Sequence, residues 1–78
     1  MFAILNSVEN ILKEILEVEQ DIDLNEDLSS IGLDSLVSVS LIVELEEKFG
    51  ITFDDDELIF ENFSNIKKII DIVESKMN

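Results

Sequence analysis

With 78 residues, of which 46% are apolar, the chain is long enough for one small domain over residues 1–78. Nineteen acidic residues and five lysines give a net charge of −14, which repels nucleic acid and anionic membranes, so we expect neither as a partner. Because Cys, His, Tyr and Trp are absent, thiolate ligands and a base titrating near neutrality are absent too, and we expect neither a thiolate zinc site nor an enzyme.

The beginning of the chain does not have the pattern of a secretory signal. Met1-Phe-Ala-Ile-Leu5 lacks a basic n-region and leads directly into Asn6 and Glu9. No apolar run approaches membrane-spanning length, so we expect no membrane insertion. The sequence therefore indicates a free-standing cytoplasmic domain, which we expect to be a monomer.

The first predicted element is an amphipathic helix of about four turns. Apolar residues recur at helical spacing from Ile4 to Leu16, and polar residues from Asn6 to Glu17 fill the opposite side. This pattern is typical of one wall of a helical core. A long irregular segment rich in turn-forming residues follows, from about Val18 to Asp34. We expect its apolar residues to anchor it across the helices; they are Ile22, Leu24, Leu28, Ile31 and Leu33.

Part of this loop matches the start of a calcium-binding EF-hand motif. Asp21, Asp23 and Asn25 stand at the spacing of its first three ligands. The sixth position holds Glu26 where the motif needs Gly, and the twelfth holds Gly32 where it needs a bidentate carboxylate. We therefore predict no EF-hand, and a calcium-responsive protein is kept only as a rival hypothesis.

The second helix is predicted from Asp34 or Ser35 to Phe49, with Asp34 as its N-cap and Gly50 as its C-terminal cap. Projected as a helix, it carries two apolar stripes. The core stripe contains Ser38, Leu41, Ile42, Leu45 and Phe49. The second stripe contains Leu36, Val39 and Val43, flanked by Ser40, Glu44 and Glu47. Leu36 favours a contact surface, whereas Val39 and Val43 are left open between core and contact surface.

The rest of the chain predicts a connector, a short helix and a last helix. Ile51 and Phe53 are expected to point inward, and Asp54 with Glu57 forms a capping box for a short helix from about Asp56 to Glu61. This helix presents Leu58, Ile59 and Phe60.

Ser64 is the expected N-cap of the last helix. Its core stripe is Ile66, Ile69, Ile70, Val73 and Met77, and its solvent side is Lys67, Lys68, Asp71, Glu74 and Lys76. The predicted fold is all-α, a small four-helix bundle of three longer helices and one short helix, with a long loop between the first and second helices.

Ser35 stands at the predicted start of the second helix. It is no catalytic nucleophile, because the chain has no His and the nearest lysine in sequence is Lys48. A phosphodiester attached to it would lie beside free N–H groups and the positive end of the helix dipole, worth about 0.3–1 kcal/mol. From the residue types alone, a purely structural serine is the favoured interpretation.

The segment Leu33-Asp-Ser-Leu36, preceded by Gly32 and followed by Leu45-Glu-Glu-Lys-Phe-Gly50, resembles the signature of acyl carrier proteins. The length, the acidity and the order of elements are similar over essentially the whole chain. The resemblance implies that Ser35 is esterified by phosphopantetheine, donated from coenzyme A by a phosphopantetheinyl transferase. It also implies that acyl intermediates are held on this arm as thioesters and presented to biosynthetic enzymes.

By the same resemblance, partner enzymes with basic patches dock on the second helix. The residues they are expected to contact are Asp34, Leu36, Val39, Val43, Glu44 and Glu47. The partners are the transferase, an acyl-loading ligase or acyltransferase, and ketosynthase-type and thioester-processing enzymes.

One departure from the family concerns the residues just after Ser35. Fatty-acid carriers usually have acidic residues there, whereas this chain has Val37 and Ser40. This favours a specialised polyketide or related pathway over housekeeping fatty-acid synthesis. An aminoacyl, peptidyl or D-alanyl carrier is the alternative, and a non-covalent acidic helical interaction module is the rival from another class.

Overall fold

The computed structural model describes residues 2–77, so that Met1 and Asn78 of the predicted domain lie outside the described part. Its elements are α1 (Phe2–Leu16), α2 (Ser35–Phe49) and α3 (Ile66–Met77), together with 3₁₀ turns at Leu28–Ile31, Asp55–Glu57 and Phe60–Phe63. The all-α fold with a long α1–α2 loop is confirmed, and 3₁₀ turns stand in the place of the short helix. Within residues 2–77, no helix combines the length and apolarity needed to span a bilayer.

The hydrophobic core lies where the three helices meet. Val8 and Leu12 of α1 and Leu41 and Leu45 of α2 are all fully buried, as the helical periodicity predicts. The predicted stripe of α3 is buried from Ile66 to Val73, but Met77 in its last turn is 49% exposed. The amphipathic faces of the three helices thus enclose one core, which α3 enters with its first two turns.

The segment between α2 and α3 forms two 3₁₀ turns rather than one helix from about Asp56 to Glu61. The Glu57 half of the predicted capping box is present, since Glu57 Oε1 accepts a hydrogen bond from the Asp54 N–H at 2.7 Å. The backbone then leaves helical geometry, because Ile59 is extended with φ −110° and ψ 143°. So short a segment does not offset the cost of nucleating an α-helix, and isolated 3₁₀ turns are the usual result.

Asn65, not Ser64, caps α3. Asn65 Oδ1 accepts a hydrogen bond from the Lys68 N–H at 2.8 Å. The Ser64 hydroxyl donates instead to the Glu61 carbonyl at 2.8 Å, which completes the preceding turn. The prediction of Ser64 was wrong because both neighbours are good N-cap residues, and only the tertiary structure decides which one is used.

The α1–α2 loop is anchored partly by side chains. Ile22, Leu28 and Leu33 are buried and Ile31 is half-buried, as predicted. Leu24 departs from the prediction because its side chain is 40% exposed. The Ile22 N–H donates to Glu9 Oε2 at 3.0 Å, which ties the beginning of the loop to α1.

Backbone hydrogen bonds anchor the same loop to the start of α3. The Lys67 N–H donates to the Leu24 carbonyl at 3.1 Å, and the Leu28 N–H donates to the Ser64 carbonyl at 2.8 Å. Leu24 therefore holds the loop through its backbone while its side chain faces solvent.

The sequence predicts that Lys76 faces solvent, but Lys76 pairs with the 3₁₀ turn that follows α2. Its Nζ lies 2.7 Å from Glu57 Oε1 and 3.4 Å from Asp54 Oδ2, and its side chain is only 17% exposed. The hydrogen bond from Lys76 lowers the pKa of Glu57, and the hydrogen bond to Glu57 raises the pKa of Lys76. The end of α3 is thereby fixed to the turn that follows α2.

Replacing Lys76 by Met is expected to lower the Tm at neutral pH. The Glu57 pKa lies below 4.5 in the folded chain, so this pair stabilises the fold above that pH, and the effect is lost as the pH falls through the folded pKa. The raised pKa of Lys76 adds stability that is present below pH 10.5 and is lost as the pH rises through its folded value.

Thermal melts followed by circular dichroism at neutral and strongly acidic pH measure this effect. The Tm difference between the Lys76→Met variant and the unsubstituted chain is expected to vanish in acid. Lys67→Met is the matched control, because Lys67 and Asp71 are both 62% exposed and such surface pairs contribute little. Equal Tm values for both variants at neutral pH would contradict the expectation.

Candidate functional site

Ser35 is the first residue of α2, and its side chain is exposed. Asp34 precedes it in an extended conformation, and Asp34 Oδ1 accepts a hydrogen bond from the Val37 N–H at 2.8 Å. The predicted N-cap is therefore confirmed. The first N–H groups of a helix have no intrahelical acceptor. Asp34 satisfies that of Val37, and the N–H groups of Ser35 and Leu36 are left for solvent or an anion.

The residues just before Ser35 explain why it protrudes. Leu33 is 2% exposed, and its N–H donates to the Leu28 carbonyl at 3.0 Å, so the chain is fixed to the core at this point. Gly32 makes the turn into it with φ 118°. A Cβ on Gly32 would meet only Leu16 Cδ2, at 3.8 Å, so the backbone angle and not space requires glycine here.

Ser35 and Ser38 of α2 differ in whether their hydroxyl groups are exposed. Ser38 is 8% exposed, and its Oγ donates to the Ser35 carbonyl at 2.9 Å. That hydroxyl is therefore used within the helix. Ser35 presents its hydroxyl at the surface, at the position where the helix dipole favours a negatively charged group.

The second apolar stripe of α2 faces solvent. Leu36 is 82% exposed, Val39 58% and Val43 46%, so Val39 and Val43 do not belong to the core. We call these three residues the exposed stripe. Glu44 and Glu47 beside it are also exposed, so an apolar strip with an acidic flank leads away from Ser35 along the helix. An exposed apolar surface of this kind is typical of an interaction site.

A groove with a volume of about 300 Å³ lies beside Ser35. Its α2 side is formed by Ser35, Ser38, Val39 and Ile42, and its other side by Leu58, Ile59 and Phe60, together with the buried Phe63. We call the Leu58, Ile59 and Phe60 side the connector wall. No charged side chain is among the described residues that line the groove. The sequence predicts that these three residues lie on a short helix, but no feature of the sequence predicts that they lie close to Ser35.

The acidic residues of the α1–α2 loop serve its own structure. Asp21 Oδ1 lies 3.0 Å from Lys13 Nζ, and Asp23 Oδ1 accepts a hydrogen bond from the Asn25 N–H at 3.2 Å. In the described residues, no three acidic side chains are grouped as metal ligands would be. The structure therefore gives no support to a calcium site in the described part of this loop.

The chain resembles known proteins in both sequence and fold. Residues 6–73 match the protein family described as "Phosphopantetheine attachment site". The chain is 36% identical over 76 residues to the acyl carrier protein of Coprothermobacter proteolyticus, a match that covers 95% of this chain and 90% of that protein. It is 34% identical over 71 residues to the acyl carrier protein of Buchnera aphidicola, covering 88% of this chain and 86% of the relative.

One further relative and one solved structure are also similar to this chain. The chloroplastic acyl carrier protein 1 of Spinacia oleracea is 36% identical over 73 residues, which span 91% of this chain and 51% of that protein. One solved structure is an engineered glycine:[carrier protein] ligase from Bradyrhizobium japonicum, complexed with a carrier protein from Agrobacterium tumefaciens and AMP. A chain of that complex superposes with a TM-score of 0.81 at 33% identity, covering 90% of this chain and 97% of that chain.

Proposed function

The chain belongs to the acyl carrier protein family, and on that premise we propose that Ser35 is the residue to which its phosphopantetheine group is attached. As a member of that family, it is a carrier with a covalent prosthetic group and not an enzyme. The observation that carries the proposal is the exposed Ser35 hydroxyl in the first turn of α2, inside the matched range 6–73.

The residues around Ser35 fit the group chemically. Its phosphate would lie near the N–H groups of Ser35 and Leu36 at the positive end of the α2 dipole, which contributes about 0.3–1 kcal/mol. The uncharged groove beside Ser35 offers apolar surface to the pantetheine chain. Ser35 itself would form the phosphodiester.

When bound, the group supplies a terminal thiol on which acyl intermediates are held as thioesters. The residues of the chain position that arm. Asp34 fixes the first turn of α2 by accepting a hydrogen bond from the Val37 N–H, and the buried Leu33 fixes the turn to the core. Tethering then keeps the cargo at high effective concentration near any enzyme that binds the carrier.

We further propose that partner enzymes dock along α2. The residues they contact are Asp34, Leu36, Val39, Val43, Glu44 and Glu47. An apolar centre with an acidic flank suits an enzyme whose own surface is apolar near its entrance and basic further away. Ser35 and Glu47 are about 18 Å apart along the helix axis at the standard rise per residue, which sets the distance to that basic patch.

The partners in this proposal are the phosphopantetheinyl transferase, an acyl-loading ligase or acyltransferase, and ketosynthase-type and thioester-processing enzymes. The solved complex of a carrier with a glycine:[carrier protein] ligase supports the inclusion of a loading ligase. The monomeric state and the cytoplasmic location expected from the sequence belong to the same proposal.

For the cargo, we propose a specialised polyketide or related acyl group. Val37 and Ser40 in the first turns of α2 support this, since they replace the acidic residues usual in fatty-acid carriers. An aminoacyl cargo is the second candidate, and the ligase in the solved complex, which is named for glycine, favours it. Loading assays with aminoacyl ligases and with acyltransferases separate the two, and efficient turnover by a general fatty-acid elongation system would contradict both.

The attachment itself is tested with the apo chain, coenzyme A and a broad-specificity phosphopantetheinyl transferase. Intact-mass spectrometry is expected to show the addition of one phosphopantetheine. The reaction without coenzyme A is the control. No change in mass would overturn the proposal and favour the non-covalent interaction module.

A further inference from the structure

A cleft with a volume of about 360 Å³ lies between α1 and α2. Each helix contributes three residues to it, which are Ser7, Asn10 and Ile11 of α1 and Glu44, Glu47 and Lys48 of α2. We call it the α1–α2 cleft. Because Glu44 and Glu47 also flank the exposed stripe, the cleft is continuous with the surface proposed for docking and extends that surface onto α1.

The polar side chains of the α1–α2 cleft are not used within the fold. In the part of the chain that the structure describes, five of them make neither a side-chain hydrogen bond nor an ion pair: Ser7, Asn10, Glu44, Glu47 and Lys48. Glu46 differs from its neighbours, because Glu46 Oε2 accepts a hydrogen bond from the Phe53 N–H at 2.9 Å. Glu46 thus stabilises the fold, whereas the groups of the cleft are available to a partner.

The charge of the cleft selects the side chain that fits it. Glu44 and Glu47 supply two carboxylates and Lys48 supplies one ammonium group, so the cleft has a formal charge of −1. One cationic side chain neutralises this charge, and Lys48 would repel a second one. Arginine fits better than lysine, because its planar guanidinium group carries five N–H donors and can reach several acceptors at once. The amide oxygen of Asn10 is an uncharged acceptor beside the two carboxylates.

We infer that the α1–α2 cleft receives a single arginine side chain of the enzyme that acts on Ser35, and that Asn10 of α1 is a specificity-determining residue of the docking surface. Glu44 is nine residues after Ser35, so the arginine lies about 14 Å from Ser35 along the helix axis at the standard rise per residue. A second copy of this chain cannot supply the arginine, because all five of its basic residues are lysines. The inference rests on the proposed function of Ser35.

The first test compares Asn10→Ala with Asn6→Ala as substrates of a broad-specificity phosphopantetheinyl transferase. Asn6 is the matched control, since it is also an exposed asparagine of α1 but does not line the cleft. Initial rates of phosphopantetheine transfer from coenzyme A give the KM and kcat for each apo chain. Asn10→Ala is expected to raise the KM about twofold to fivefold with little change in kcat, because an exposed hydrogen bond to a charged group is lost. Asn6→Ala is expected to leave both constants unchanged.

The second test compares Lys48→Gln with Lys67→Gln in the same assay. Both substitutions remove one positive charge, but Lys67 lies on α3 and does not line the cleft. Lys48→Gln is expected to lower the KM about twofold to fivefold at low ionic strength, because the partner's arginine then meets two carboxylates and no cation. Lys67→Gln is expected to leave the KM unchanged, and added salt is expected to remove the difference between the two variants.

The outcomes separate this inference from the function beneath it. A wild-type chain that accepts no phosphopantetheine overturns the proposed attachment, and the inference with it. Normal modification of the wild type with equal KM values for the two asparagine variants overturns the inference alone. An equal decrease in KM for both lysine variants also overturns it, since net charge alone would then explain the effect. All four side chains are exposed, so thermal melts are expected to show little change in Tm, and the lysine variants decide the inference if Asn10→Ala is unstable.

Discussion

Ser35→Ala is expected to accept no phosphopantetheine, while its fold and Tm stay close to those of the unsubstituted chain. The substitution removes the hydroxyl that forms the ester. It leaves two hydrogen bonds in place, one from the Val37 N–H to Asp34 Oδ1 and one from Ser38 Oγ to the Ser35 carbonyl. Since the lost side chain is exposed, little stability depends on it. Intact-mass spectrometry after incubation with coenzyme A and the transferase measures the modification, and circular dichroism measures the Tm.

Ser40→Ala is the control for this experiment. Ser40 is another exposed serine of α2, and its variant is expected to gain the full mass of one phosphopantetheine. Modification of the Ser35→Ala chain would place the attachment at another residue. Loss of modification in both variants would point to an effect on docking and not on the ester itself.

Phe63→Ala is expected to destabilise the fold by about 3–5 kcal/mol, which is most of the stability of a domain this small. Phe63 is 1% exposed and packs edge-to-face on Phe53, with ring centroids 5.5 Å apart and an interplanar angle of 85°. Removing the ring leaves a cavity where its 3₁₀ turn meets α2 and α3. Urea denaturation followed by circular dichroism measures the loss.

Phe60→Ala provides the comparison, because it removes the same side chain from the same 3₁₀ turn. Phe60 is 41% exposed, so this variant is expected to lose only about 1 kcal/mol or less. Equal losses for the two variants would mean that the ring at position 63 is not a core contact.

The helices were predictable because their signals are local. α2 runs from Ser35 to Phe49 as predicted, since Asp34 supplies the N-cap and Gly50 supplies the left-handed residue, with φ 64°, that ends the helix. The sequence predicted the two apolar stripes of α2 but left open whether Val39 and Val43 are exposed. Periodicity separates two apolar stripes, but which stripe faces solvent depends on how many neighbours a small domain can place around one helix.

The remaining features join residues that are distant in sequence. The ion pair of Lys76 with Glu57 forms only because the end of α3 lies against the 3₁₀ turn that contains Glu57. No local sequence pattern predicts this contact. The pairing of the connector wall with Ser35 is of the same kind. Ser64 and Asn65 are both good N-cap residues, and the sequence does not show that Ser64 completes the preceding turn while Asn65 caps α3.

The α1–α2 loop cannot be fully anchored until α3 is in place. Two of its backbone partners, Ser64 and Lys67, belong to the opposite half of the sequence, so part of the entropic cost of closing the loop is offset only once α3 has docked. The start of α2 at Asp34 directly follows this loop. The position of Ser35 in the fold therefore depends on contacts with α3 as well as on its own N-cap.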